Sequence, residues 1–246
     1  MSQKIEDYAF IGNAHTAALV GRDGSIDWLC LPRFDSEACF SALLGSPENG
    51  RWLIAPAGEA HSVTRRYRDG TLILETEFTT DSGSCAMIDF MPRPEDEGEI
   101  DVVRIVEGRR GTVAMHTEFV LRFGYGCIVP WVRRREGGIS AVAGPHAVHL
   151  QTPVPLIGKN FRTTAECAVA HGERVPFVLT WHRSHKERRP GRDAFRLLEE
   201  TETLWRRWSD RWANMDLTAR DDSPILYHKE IGDAASNRTF PSLLPR

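Results

Sequence analysis

The sequence has 246 residues, enough to bury the core of one globular domain or of one large domain with a tail. Its formal net charge is −3, so it carries no bulk positive field that would attract nucleic acid or an anionic membrane. No apolar run reaches membrane-spanning length, and the N-terminal MSQKIEDYAF lacks the apolar core of a signal peptide. We therefore expect neither nucleic acid nor a membrane as partner.

The first half of the chain shows extended segments joined by tight turns. The tripeptide RDG occurs at 22–24 and again at 68–70, each time between two extended segments. Asp-Gly supplies the positive φ that tight hairpin turns need, so both sites predict hairpins. Between them, SEACFSALL (Ser36–Leu44) predicts a short helix that is capped by Asp35 or Ser36 and ends at Gly45.

Further segments of period two follow at short intervals. Ser84–Met91 and Asp101–Gly108 each predict a strand, and Thr112–Phe123 has the longest run in which side chains alternate between two faces. The residues of Thr112–Phe123 that share one face are Val113, Met115, Thr117, Phe119, Leu121 and Phe123. Three later segments (HAVHL, FRTTAECAVA and VPFVLTWH) continue the pattern. Many short strands joined by turns predict a mainly β protein, an antiparallel sandwich.

The pattern changes to a helical period at Gly191. Residues at steps of three or four form an aromatic stripe, made of Leu198, Thr201, Trp205, Trp208, Trp212 and Met215. This stripe packs either on the sandwich or on another domain, in which case Trp205, Trp208 and Trp212 form a domain interface. From Asp216 the sequence has no sustained period and contains three prolines, which predicts an irregular tail.

The order of these patterns predicts three parts. Residues 1–190 form the sandwich, residues 191–215 form an amphipathic linker helix, and residues 216–246 form the tail.

The cysteine and histidine spacings do not indicate a cofactor. Five widely spaced cysteines are typical of a reducing compartment, so we expect a cytoplasmic protein with small apolar cysteines in its core: Cys30, Cys39, Cys85, Cys127 and Cys167. Two H-x-x-H pairs, 146/149 and 182/185, lie in predicted strands or at their ends. Residues three apart on a strand face opposite sides, so we expect no metal and no other cofactor.

No nucleotide-binding, phosphate-binding or serine-hydrolase motif occurs in the sequence. The stretch GRDGSIDWLCLPRFD (Gly21–Asp35) concentrates carboxylates, a tryptophan and an arginine, as sugar pockets do. Asp27 and Asp35 are candidate paired carboxylates for glycoside hydrolysis, but Asp35 also suits a helix N-cap and Asp27 a hairpin strand. The residues alone thus indicate an antiparallel β domain without an assigned function.

The stretch Ile5–Gly45 closely resembles the start of bacterial glucoamylase/trehalase-like proteins of glycoside hydrolase family 15. The likeness covers roughly residues 5–213 and continues in order through six further blocks: Arg66–Thr80, Ile88–Arg93, Val102–Gly111, Arg122–Arg134, Phe177–His185 and Glu200–Ser209. The resemblance implies an N-terminal super-β-sandwich, a helical linker and an (α/α)6 barrel. That barrel carries two glutamates that hydrolyse an α-glucosidic bond with inversion.

The sequence departs from this family at two places. After Asp216 the tail replaces the start of the barrel, and the catalytic glutamates have no counterpart. We therefore expect a truncated or frameshifted chain that is inactive on its own, because each such acid or base contributes about 10²–10⁴-fold to the rate. Gly124 also stands where the family more often has an acid, in RFDYG.

The resemblance gives the opening stretch a role beside the barrel. Asp27, Trp28, Arg33 and Asp35 would form an auxiliary wall of the pocket, with Trp28 stacked on a sugar and Arg33 and Asp35 bonded to hydroxyls. The alternative is that Trp28 is core and Asp35 caps a helix.

Three functions remain open at this point. The chain is the non-catalytic N-terminal domain of such a hydrolase, a stand-alone module that binds an α-glucosidic carbohydrate, or a structural subunit. The structural subunit would dock a separately encoded catalytic barrel, or self-associate, through the tryptophan helix.

Overall fold

The computed structural model of the chain describes residues 3–94, 98–186 and 191–213, with side chains up to Arg211. The predicted tail, 216–246, and the side chain of Trp212 lie outside these residues. The suggested origin of the tail in a truncated gene stays a prediction. The chain divides into two units, Met1–Ser209 and Asp210–Arg246. No helix in the described ranges is both long and apolar enough to cross a membrane.

The described residues are mainly antiparallel β structure, as predicted. The strands are β1 (Tyr8–Gly12), β2 (Ala17–Gly21), β3 (Ser25–Cys30), β4 (Ala38–Phe40), β5 (Arg51–Pro56), β6 (Ser62–Tyr67), β7 (Leu74–Thr80), β8 (Gly83–Phe90), β9 (Glu99–Val120), β10 (Trp131–Arg135), β11 (Gly138–Ala143), β12 (His146–Gln151), β13 (Ile157–Lys159), β14 (Arg162–Ala170) and β15 (Arg174–Arg183). Short 3-10 helices span Ile5–Asp7, Ala42–Leu44 and Pro47–Asn49, and the α-helix α1 spans Ala194–Ala213. Both RDG turns join consecutive antiparallel strands, with positive φ at Gly24 and Gly70.

The strands form two sheets that share β9. The first sheet has the order β1-β2-β3-β5-β9-β14-β13, with β4 also paired to β3, and the second has the order β6-β7-β8-β9-β15-β12-β11-β10. The first half of β9 pairs with β8 and β15, and the second half pairs with β5 and β14. The two strands predicted over 101–108 and 112–123 are thus one strand of 22 residues. Gly111 allows the crossing, since its φ is 62° and a Cβ there would collide with the carbonyl oxygen of Ser82.

The main core lies between the two sheets. The predicted apolar face over 112–123 is confirmed, although β9 ends at Val120, because all six of its residues are buried: Val113, Met115, Thr117, Phe119, Leu121 and Phe123. Phe119 packs edge-to-face against both Phe40 and Trp52. Three of the five cysteines, Cys30, Cys39 and Cys85, are buried as expected, whereas Cys127 is exposed.

A buried ion pair crosses this core. Arg104, on β9, is fully buried and donates from Nε to Asp89 on β8 at 2.8 Å. The same guanidinium donates to the carbonyl oxygens of Trp52 on β5 and of Gly24 in the β2–β3 turn, at 2.8 and 2.7 Å, both on the side of the first sheet. It also lies 5.1 Å from the centre of the Trp52 ring. One side chain therefore holds the two sheets to each other.

The helix predicted over 36–44 is wrong. Ala38–Phe40 forms β4 and pairs with β3, and a single 3-10 turn follows at Ala42–Leu44. The residues Ala38 to Phe40 are fully buried, so pairing with β3 satisfies their backbone inside the core and overrides the local helical pattern. Asp35 caps no helix, since its carboxylate binds Arg33 instead.

The edges of β1 and β6 are joined by one tyrosine. Tyr67, at the end of β6, accepts a hydrogen bond from the backbone N–H of Phe10 at 2.9 Å and donates to the Phe10 carbonyl at 2.7 Å. Phe10 is on the edge strand β1, so its outward backbone groups are satisfied by the other sheet. Tyr67 therefore hydrogen-bonds the two sheets to each other at this side of the sandwich.

Helix α1 packs on the outer face of the second sheet. Ala194, Leu197 and Leu198 form a second apolar cluster with six residues of that face and its turn: Ile73, Ile88, Phe90, Val103, Ile105 and Val178. The amphipathic helix is confirmed, but its buried stripe lies towards its N-terminal half. Trp205 and Trp208 are half-buried and contact each other edge-to-face at 5.8 Å. Their proposed role as a domain interface stays a prediction.

A charged cluster fixes the same helix to β7. Glu75 accepts hydrogen bonds from Arg66 and Arg68, at 2.7 and 2.8 Å, and Arg68 also donates to Glu202 on α1 at 2.7 Å. Burial acts to raise the pKa of Glu75, but the hydrogen bonds from Arg68 and Arg66 outweigh it, so the pKa of this carboxyl is lowered. Ionised Glu75 therefore stabilises the fold above its unfolded pKa of about 4.3, and this stability is lost as pH falls through the lower folded value.

We predict that Glu75→Gln lowers the free energy of unfolding at pH 7 by about 1–3 kcal/mol, because the arginines lose a charged acceptor. The variant should also lose less stability than the parent between pH 5 and the acid transition. Urea unfolding at a series of pH values measures both effects. Glu77→Gln, on the same face of β7 but exposed, is the control. Parallel pH profiles for parent and Glu75→Gln would contradict this role.

Candidate functional site

A β-bulge shapes the stretch that drew attention in the sequence. Ile26 pairs with Val20 and Trp28 pairs with Leu19, so Asp27 is an extra residue on β3. Ile26 and Leu29 both stay in the core. The bulge therefore turns Asp27 and Trp28 away from the core face together.

Asp27 is enclosed rather than open to a ligand. Its carboxylate is on a residue only 6% exposed and accepts a hydrogen bond from the Tyr8 hydroxyl at 2.7 Å. Burial raises the pKa of the Asp27 carboxyl, opposed by the Tyr8 bond, and burial also raises the pKa of the Tyr8 hydroxyl. The second carboxylate oxygen of Asp27, Oδ1, makes no hydrogen bond with the described residues. A carboxyl group in this setting has a raised pKa, as a catalytic general acid does, but a substrate cannot reach it.

Trp28 belongs to an aromatic pair. The ring is half-buried and lies 6.1 Å from that of Tyr125, with an angle of 38° between the planes. Tyr125 is about half exposed and is held by a hydrogen bond from its backbone N–H to the Ala38 carbonyl. The pair presents one accessible aromatic face, which suits stacking on the apolar face of a sugar.

Arg33 and Asp35 lie on an exposed turn. Arg33 donates to both carboxylate oxygens of Asp35, at 2.9 and 3.3 Å, and both side chains are about 70% exposed. The hydrogen bond from Arg33 lowers the pKa of Asp35. A sugar hydroxyl at this turn would compete with an existing bidentate pair.

The four residues singled out in the sequence thus occupy three settings. Asp27 is enclosed with Tyr8, Trp28 contacts Tyr125, and Arg33 binds Asp35. Their role as the wall of a carbohydrate pocket stays a prediction. The sequence analysis missed Tyr125, although it belongs to a block that the resemblance covers, because its importance comes from a contact with Trp28 across the fold.

A second stack lies next to the loop that carries Tyr125. Phe123 stacks on His146 at 5.7 Å, and the indole N–H of Trp181 donates to Nδ1 of His146 at 3.2 Å. Burial lowers the pKa of His146, which suits its role as a neutral acceptor. Within the described ranges, no three histidine, cysteine or acidic side chains lie together as metal ligands.

The structure also contains a cavity of about 250 Å³ on the outer face of the second sheet. Its lining is charged and non-aromatic, and consists of Thr64, Arg65, Arg66, Glu75, Glu77, Ala86 and Arg109. Arg66 and Arg109 both approach Glu75, which leaves little unbalanced charge for a ligand. This cavity lies outside the stretch that the sequence indicated.

Comparison with known proteins gives one matching family and several longer relatives. The family model for the trehalase-like N-terminal domain matches residues 1–208. A trehalase of Thermoplasma volcanium is 29% identical over 211 residues, which are 84% of this chain and 34% of that protein. A trehalase of Mycobacterium tuberculosis is 27% identical over 229 residues, covering 83% of this chain and 33% of that protein. The chain spans about a third of the length of these relatives.

Solved structures with a similar fold include the following one. It is a bacterial glucoamylase complexed with acarbose, with a TM-score of 0.55 at 10% identity. The match covers 85% of this chain and 37% of the glucoamylase. At this level of sequence identity the likeness shows a shared fold.

We predict that Tyr8→Phe raises the pKa of Asp27 further, because the lost hydrogen bond is one that favours the ionised form. The variant should also lose about 1–3 kcal/mol of stability at neutral pH, since a buried carboxylate loses its donor. Carbon-detected NMR titration of the aspartate carboxyls measures the pKa. Tyr125→Phe removes the hydroxyl of an exposed ring and serves as control. An unchanged Asp27 titration in Tyr8→Phe would show that the bond is not formed.

Proposed function

Because the chain belongs to the trehalase-like N-terminal domain family, we propose that it serves as the non-catalytic N-terminal domain of an α-glucoside hydrolase of glycoside hydrolase family 15. The observation that carries this proposal is the extent of the family match. It begins before β1 and ends within α1, so it includes both sheets and most of the helix that packs on them. The relatives named as trehalases extend well beyond this region, and we assign the hydrolytic chemistry to their remaining part.

The settings of the carboxylates support a non-catalytic role. An inverting hydrolase needs an acid and a base about 6.5–9.5 Å apart, with room for a sugar and a water between them. Asp27 has a raised pKa but is closed off by Tyr8, and Asp35 is held by Arg33. We expect the substrate of the whole enzyme to be an α-glucosidic carbohydrate, and its location to be the cytoplasm.

A stand-alone carbohydrate-binding module is the second candidate. The half-exposed ring of Tyr125 beside Trp28 favours it, since a flat aromatic face matches the apolar face of a pyranose. The tilt between the two rings leaves only one of them as a platform. Titration calorimetry of the chain with trehalose and maltose separates this candidate from the first, which predicts only the heat of dilution.

A domain exchange tests the proposed function. In the Thermoplasma volcanium trehalase, the region aligned with this chain is replaced by residues 1–213, and glucose release from trehalose is measured. We predict that the exchanged protein hydrolyses trehalose, that the remainder of the relative without any N-terminal region loses activity or folding, and that this chain alone releases no glucose. Turnover by the purified chain alone, or an N-terminal region that proves dispensable, would contradict the proposal.

A further inference from the structure

Two sulfur atoms are in contact inside the main core, and a third belongs to the residue paired with one of them. The Sγ atom of Cys85, on β8, lies 3.5 Å from the Sδ atom of Met115, on the second half of β9. Met115 is paired directly with Cys167 on β14. Directly opposed residues point to the same face of a sheet, with Cβ atoms about 4.5–5.5 Å apart. We call Cys85, Met115 and Cys167 the sulfur cluster.

The surroundings of the sulfur cluster are apolar. Cys85 is fully buried and Met115 is 1% exposed, and Cys167 packs against the same apolar core that contains them. Burial raises the pKa of the Cys85 thiol to about 12, and the charges of Glu77 and Cys167 add to this effect. Burial also raises the pKa of the Cys167 thiol. At neutral pH both cysteines are therefore protonated thiols rather than reactive thiolates.

Cys167 gives the sulfur cluster a route to solvent. It is half-buried, whereas Cys85 and Met115 are closed. The other two buried thiols, Cys30 and Cys39, are only 4% and 0% exposed. An ion in solution therefore meets Cys167 first and reaches the deeper sulfur atoms from there.

The donor set of the sulfur cluster favours a soft monovalent cation. Thiolate and thioether ligands select copper(I) and similar soft ions, whereas calcium and magnesium require oxygen ligands. Structural zinc is almost always held by four ligands, and the cluster supplies three sulfur atoms. A monovalent ion bound to one thiolate also forms a neutral complex, which avoids the cost of a net charge in an apolar core. The absence of three histidine, cysteine or acidic ligands together in the described ranges is consistent with this site, because methionine supplies one of its donors.

We propose that the sulfur cluster is a binding site for a soft monovalent metal ion, copper(I) or silver(I), between the two sheets. On binding, one of the two thiols exchanges its S–H bond for a sulfur–metal bond and releases the proton to solvent. Met115 donates a lone pair from its thioether, and the metal keeps its oxidation state. Cys85 belongs to the second sheet and Cys167 to the first, so a bound ion joins the sheets and stabilises the folded chain. This inference does not depend on the proposed function.

Silver(I) nitrate in chloride-free buffer is the probe, because silver(I) keeps its oxidation state in air. The full chain carries Cys127→Ser, which removes the exposed thiol. Native mass spectrometry measures the stoichiometry, and titration calorimetry measures the affinity and the release of protons. We predict one bound ion per chain, one released proton per ion and a higher Tm. Because a proton is displaced, the affinity should rise about tenfold for each pH unit below the pKa of the thiol.

Met115→Leu and Met91→Leu, each made in the Cys127→Ser chain, are matched variants. Both methionines are 1% exposed in the same core, and leucine conserves their volume, so both variants should fold. Met91 lies six residues beyond Cys85 and outside the cluster. Met115→Leu should lower the silver affinity about tenfold or more, since loss of even a supporting partner of a metal ligand costs that much. Met91→Leu should leave the affinity unchanged.

Cys85→Ala provides a second test that does not depend on methionine packing, and it should lower the silver affinity at least as far as Met115→Leu does. Failure of the Cys127→Ser chain to bind silver would overturn the proposal. Equal affinities for this chain and for Met115→Leu would also overturn it, because the metal would then be bound at another thiol. A fall in Tm on binding would show that silver prefers the unfolded chain and would contradict a site between the sheets.

Discussion

The fold depends on how Arg104 joins the two sheets through β9. Its guanidinium pairs with Asp89 in the second sheet and donates to two carbonyl oxygens in the first, from Trp52 and Gly24. Burial raises the pKa of Asp89, and Arg104 opposes that effect by its charge and hydrogen bonds. A shift of either sheet would leave a buried charge without its partners, which costs more than a surface ion pair returns. This constraint fixes the relative position of the sheets more strictly than apolar packing alone.

The sequence predicts those features of the fold that depend on local pattern. The Gly24 and Gly70 turns and the buried face of Val113 to Phe123 follow from turn chemistry and period two. The sequence does not predict that β9 continues through Gly111, because continuity depends on two different sheets pairing with its halves. The prediction from sequence is also wrong at Ala38–Phe40, where pairing with β3 overrides a helical pattern. Arg104 lies in the run VVRIVEG, but its acceptors, the Asp89 carboxylate and the carbonyl oxygens of Trp52 and Gly24, are distant in sequence.

The candidate functional residues are likewise predictable from the sequence only in part. Asp27 and Trp28 are recognisable by residue type, yet only the bulge in β3 shows that one is enclosed and the other pairs with Tyr125. Phe161 has no local signal apart from its place after asparagine, because its φ and its exposure come from the fold. Tyr67 hydrogen-bonds the β1 and β6 edges to each other, whereas the β13–β14 hairpin exposes Phe161 at a positive φ, with its carbonyl bound by Arg122.

The central claim is that both sheets form one cooperative unit joined by β9 and Arg104. Native-state hydrogen exchange with increasing denaturant, followed by NMR, tests it residue by residue. The account predicts that amides of Val102–Ile105 and of Val113–Phe119 exchange with the same free energy, equal to that of global unfolding. Exchange of one group at a free energy several kcal/mol below the other would contradict it, because the two sheets would then open separately.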